Sequence, residues 1–130
     1  MRRQDWPERL AEFVEHNRDR PFAWASWDCA LFASAWIEQA TGTAPFRPTY
    51  TDALSAARFV SQQGGMGPAA SAVLGAPLLY RMGAQRGDIA LVVVDGRECL
   101  GVVLGDRVAG PGERGMIQVS RADIIAAWAV

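Results

Sequence analysis

One change of pattern constrains this chain more than any other feature. Up to about Gly83, apolar residues recur at helical spacing. Beyond it, Ile89-Ala90-Leu91-Val92-Val93-Val94 forms an unbroken apolar run that closes on Asp95-Gly96. A run of that kind is a strand buried on both faces, and Asp-Gly is a hairpin dipeptide. Cys99 to Leu104 then reads as the returning strand. Gly105-Asp106 turns the chain into a short strand, Arg107-Val108-Ala109, which Gly110-Pro111-Gly112 is expected to break. Met116 to Val119 gives another strand. Ser120-Arg121-Ala122-Asp123 caps a turn, and Ala127 to Val130 supplies a final strand.

The first half reads as helices. Asp5-Trp6-Pro7-Glu8 has the form of a capping box with proline in the first turn. Trp6, Leu10, Phe13 and Val14 follow on one face. A second helix starts at the N-cap Asp28, carries Cys29, Phe32, Trp36 and Ile37, and stops at Gly42. It is apolar on most sides, as a central helix must be. Thr51-Asp52 opens a third helix ending at Gly64-Gly65, and Pro68 to Leu74 makes a short fourth. Helices first and an antiparallel meander afterwards define an α+β fold, with N-terminal helices packed on a C-terminal sheet in one domain, 1–130.

Composition removes several functional classes. With 130 residues and half of them hydrophobic, the chain can build a core without cross-links. A net charge of −1 gives no electrostatic footprint for nucleic acid. No apolar stretch is long enough for a membrane span, and the N-terminus lacks the apolar centre of a signal peptide. Synthesis and folding in a cytoplasm are therefore expected. There the two cysteines should be thiols rather than a disulfide framework. Their spacing, with a single histidine, fits no metal site, and no cofactor is expected. The loop Gly110 to Gly115 lacks the Lys-Ser/Thr of a phosphate loop.

Cys29 is the residue placed for chemistry. At a helix N-terminus, unpaired N–H groups and the helix dipole stabilise a thiolate. A nucleophilic Cys also needs a base, usually His, and a polar group to orient it. The sole histidine, His16, falls at the end of the first helix and reads as a solvated residue. Cys29 as a small core residue is the competing interpretation. Trp6, Trp36 and Trp128 occupy core-like positions, whereas Trp24 and Trp27 flank Cys29 and are candidates for a binding rim. Asp28 is a candidate to orient a substrate amine, although capping alone accounts for it.

Trp27-Asp28-Cys29-Ala30-Leu31-Phe32 resembles the Asp-Cys-Ser-Gly-Phe motif of the NlpC/P60 cell-wall peptidases. Gly87-Asp88 resembles the pair that introduces that family's first long strand. Cys99-Leu100-Gly101-Val102-Val103-Leu104-Gly105 resembles its His-Val-Gly-Ile-Tyr-x-Gly strand. The resemblance implies a papain-like arrangement with Cys29 as nucleophile and Cys99 where the catalytic His would stand. It implies that Cys29 and Cys99 lie close together. Two adjacent thiols are expected to raise each other's pKa. The orienting polar residue is also missing, since the following strand offers only Arg107-Val108-Ala109.

A fuller resemblance is to a small family found in the tail regions of tailed phages and prophages. It rests on Phe22-Ala23-Trp24 leading to Asp28-Cys29, on Gly87-Asp88, on Gly101 to Asp106, and on Ala127-Trp128-Ala129-Val130. That resemblance implies a structural or adaptor component of a tail tip or baseplate with a degenerate peptidase fold, located in the virion. Its expected partners are the tail hub, distal tail and tail-tip proteins, with peptidoglycan as a further candidate. Two alternatives stand beside it. One is a peptidoglycan-degrading cysteine endopeptidase or amidase acting through Cys29. The other is a tail assembly factor absent from the mature particle.

Overall fold

The β1–β2 hairpin organises the molecule. In the computed structural model, which describes residues 1–130, β1 (Ile89–Val94) pairs antiparallel with β2 (Arg97–Val103) through the Asp95-Gly96 turn. Both turn residues have positive φ, 51° and 77°, as a two-residue hairpin turn of this hand demands. β3 (Arg107–Gly112), β4 (Gly115–Ser120) and β5 (Ala126–Trp128) complete a five-stranded antiparallel sheet in the order β4-β3-β2-β1-β5.

Four helices precede the sheet: α1 (Trp6–Asn17), α2 (Cys29–Thr41), α3 (Ala53–Gln63) and α4 (Met66–Leu74). The α+β order anticipated from the sequence is therefore present. None of the helices is long and apolar enough to cross a membrane. α2 lies against the sheet and joins it to α1. Leu10 and Phe13 of α1, Phe32, Trp36 and Ala40 of α2, and Ile89, Leu91, Leu100, Val102 and Trp128 of the sheet form one continuous core. Trp36 is fully buried, and its indole N–H donates to Gly87 O at 2.7 Å. The alternate residues of the same strands, Ala90, Val92 and Val103, face the other way and pack with Ala84, Val108, Ile124 and Ala127.

Three local expectations are corrected. Asp5 does not cap α1, because the backbone there is already turning (φ −92°, ψ 21°) and the carboxylate points out to Arg9 Nε at 2.8 Å. α4 begins at Met66, two residues before Pro68, which its first turn accommodates. β3 runs straight through Gly110-Pro111-Gly112 and turns only at Glu113-Arg114. Proline is tolerated there because β3 pairs with β2 only at Ala109 and Val108, so Pro111 has no ladder to interrupt on that side.

Candidate functional site

The end of the β2–β3 ladder creates the site. In β1 and β2, Leu91 faces Leu100. The carbonyl of Leu91 accepts from Ile125 N on the outer side of β1, at 2.9 Å. This pair therefore turns its peptide groups away from each other, and Leu100 N–H points to the β3 side. β3 has left the ladder there. The Cys29 thiol lies on that side, close enough for the Leu100 N–H to lower its pKa.

Cys29 is delivered to that edge by the start of α2. Asp28, extended at φ −90° and ψ 178°, is the N-cap, and its Oδ1 accepts from Leu31 N at 3.0 Å. Its Oδ2 accepts from Ala25 N at 3.1 Å and from the Tyr50 hydroxyl at 2.7 Å. Ala25 has a φ of 63°, uncommon for a residue with a side chain, and the Asp28 bond helps hold it. Asp28 is 1% exposed and carries three hydrogen bonds from the protein itself. It is a scaffold for the loop rather than a free ligand group. Burial, and next the hydrogen bond to Asp28, push the Tyr50 phenol well above its ordinary pKa.

Cys99 meets Cys29 at the bare edge of β2, and both are free thiols, half-buried. The neighbouring Cys29 thiol lowers the Cys99 thiol to about 7, and the Arg97 guanidinium adds to the effect, while the Cys99 sulfur lies 3.7 Å from Arg97 O. Cys29 moves the other way. Donation to Cys99 raises it, burial raises it further, and only Leu100 N–H opposes them. The expectation that both thiols would be raised is thus corrected. Two thiols that interact this strongly titrate as a pair, one lowered as the other is raised.

The two thiols sit in the wall of a groove of about 700 Å³ between α2, α3, α4, the Pro45–Tyr50 loop and the β1–β2 turn. Its lining is mostly apolar, with Phe46, Phe59, Met66 and Leu74 prominent. Trp24 stands at its rim, 41% exposed, edge-on to Phe22 at 4.8 Å. Trp27 does not. The Ala23–Trp27 bridge turns its ring inward, 4% exposed, against Phe13 and Phe32 and under the Arg20 guanidinium at 4.0 Å. Its indole N–H has no acceptor. Trp36 and Trp128 are core residues, as their spacing indicated. His16 is exposed on α1, outside the groove. Val108 and Ala109 are buried apolar residues that offer the site no polar atom.

Tyr50 was not legible as a site residue. It lies in a proline-flanked loop, 22 positions from Asp28, and nothing in its local pattern signals the bond.

Fold and site together define a small α+β protein with a paired thiol at a helix–strand junction, opening into an apolar groove. Residues 1–130 match the family described as a domain of unknown function (DUF6950), and the chain belongs to that family. No curated protein matches it.

Proposed function

We propose that this protein is a structural or adaptor component of a phage tail tip, built on a cell-wall-peptidase-like fold that no longer cleaves. One observation supports the loss of cleavage: the groove wall that holds Cys29 holds Cys99 and no histidine, and the sole histidine, His16, is exposed on α1 outside it. A general base contributes roughly 10²–10⁴-fold to such chemistry. The Cys99 thiol and burial push the Cys29 thiol up, the reverse of what a nucleophile requires. The groove beside it would serve to hold a partner rather than a scissile bond. The tail hub, distal tail and tail-tip proteins are the partners this reading names, and the virion is the location.

The peptidase reading retains one supporting observation, since Cys29 opens α2 at the wall of a groove that could seat a peptide. Two measurements separate the readings. Quantitative mass spectrometry of purified particles should find the protein in fixed ratio to the tail hub, and its absence would turn the assignment to a transient assembly factor. Purified protein should release no soluble fragments from peptidoglycan. Release that disappears in Cys29→Ala would overturn the adaptor reading in favour of the enzyme.

A further inference from the structure

One wall of the groove is made of strand edge. Gly96, Arg97, Glu98, Cys99 and Leu100 all line it, and no residue of β1 does. Side chains along a strand alternate between two faces, so consecutive residues border one cavity only along the strand's edge. The register fixes which backbone groups stand there. Leu91 and Leu100 turn their peptide groups away from each other, and so, two positions on, do Val93 and Glu98. Glu98 N–H and C=O therefore point to the side where β3 has left the ladder. β3 pairs with β2 only at Val102 and Val103, and no loop takes its place at Glu98. β3 cannot extend the pairing, because its next position facing β2 is Pro111, which has no N–H. Edges of this kind are ordinarily covered or blunted. Here the edge stays open beside an apolar lining that includes Phe46, Phe59, Met66 and Leu74. Three charged residues line the same groove. Asp28 is engaged by three donors. Arg97 alternates to the other face of the sheet. Glu98 shares the face of Leu91 and Leu100, which the helices cover, and it is exposed and in no ion pair.

We propose that the β2 edge at Glu98 takes an extended segment of a partner protein as an added antiparallel strand, with a Lys or Arg opposite Glu98 and apolar residues two positions to either side. Glu98 N–H donates to a carbonyl of the incoming chain, and Glu98 C=O accepts from one of its N–H groups. In an antiparallel pair both bonds go to the residue directly opposite, whose side chain shares the face of Glu98. A positive charge there meets the free carboxylate. The side chains two positions away point the same way, to the helix side of the sheet, where the groove is apolar. Because α2, α3 and α4 border the same groove, the occupant is a lone segment and not the edge of another sheet. This inference rests on the reading of the groove as a partner site, and it supplies the chemistry of that partner.

Two fluorescein-labelled peptides test it on the full-length protein. Ser-Leu-Ser-Lys-Ser-Leu-Ser carries the pattern, and Ser-Ser-Leu-Leu-Lys-Ser-Ser has the same composition with the alternation broken. Anisotropy titrations should show saturable binding of the first and binding of the second weaker by about fivefold or more. Glu in place of Lys in the first peptide should weaken it about threefold to fivefold, and Glu98→Lys should reverse that preference, as one cross-strand charge pair requires. Glu98 is exposed, so this variant should keep the fold, which circular dichroism checks. Saturating peptide should also slow deuterium exchange at Glu98 N–H, read by NMR, about tenfold. Contact with the apolar wall alone would leave that amide unchanged. Equal binding of the two peptides, no saturation at about 1 mM peptide, or unchanged exchange at Glu98 would each overturn the proposal. It fails separately from the tail-tip assignment, which the content of purified particles decides.

Discussion

Asp28 offers the sharpest test of the reasoning, because a catalytic and a scaffolding role predict different outcomes. Asp28→Ala removes the acceptor for Leu31 N, Ala25 N and the Tyr50 hydroxyl at once. Loss of an N-cap side chain costs about 1 kcal/mol. The other two donors, the buried Tyr50 hydroxyl and the part-buried Ala25 N–H, lose their acceptor, at about 1–1.5 kcal/mol each. The sum is about 3–4 kcal/mol, a large fraction of the ~5–15 kcal/mol that holds a domain of this kind together. Tyr50→Phe removes only one of the three bonds and should cost about 1–1.5 kcal/mol. Once Asp28 is Ala, Tyr50→Phe should cost close to nothing, so the double-mutant cycle should show coupling of about 1 kcal/mol. Urea unfolding followed by tryptophan fluorescence measures all four proteins. An Asp28→Ala variant within ~1 kcal/mol of wild type would refute the scaffold argument and return Asp28 to the list of free ligand groups.

Gly101→Ala should be more damaging than its size suggests, because the added Cβ would stand 2.6 Å from Val108 Cγ1 and 2.7 Å from Ala109 O. A loss of about 2–3 kcal/mol in chemical denaturation is expected, as for other overpacked cores. Alkylation of Cys99 by iodoacetamide should rise with pH through a midpoint of about 7, since only the thiolate reacts. Cys29→Ala removes the S–H that stabilises that thiolate, so the midpoint should move upward, and Cys29→Ser, which keeps a donor, should restore part of the difference. Trp27→Phe should change stability by no more than ~1 kcal/mol despite deep burial, because the indole N–H it deletes has no partner to lose. A much larger loss on calorimetry would mean that the Arg20 contact at 4.0 Å carries real energy.

The elements that local chemistry dictates were legible in the sequence. Asp28 and Asp52 cap helices where their position before an apolar run says they should, and Gly42 and Gly64 end them at φ values of 92° and 93°. The hairpin at Asp95-Gly96 needed only its two residues. What could not be read depended on contacts between distant parts of the chain. β3 extends through a proline because β2 has already parted from it, a fact of sheet geometry. Trp27 faces inward because a two-residue bridge reverses the loop, which no periodicity reveals. The proximity of Cys29 and Cys99 could be expected only through resemblance, and the asymmetry of their protons needed the Leu100 N–H and Arg97 to be placed.

Asp88 ties the chain's ends into one knot. Its carboxylate accepts from Arg2 Nη2 at 2.7 Å and from Val130 N at 3.1 Å, while Arg2 Nε reaches Val130 O at 2.8 Å. Arg3 N reaches Ala40 O, near the C-terminal end of α2. Cys29 is at that helix's other end. Thirteen residues at ~1.5 Å each make α2 a strut of about 20 Å. Both termini are therefore gathered at the end of α2 opposite Cys29, and the groove wall runs back along the helix from Cys29 as far as Ile37.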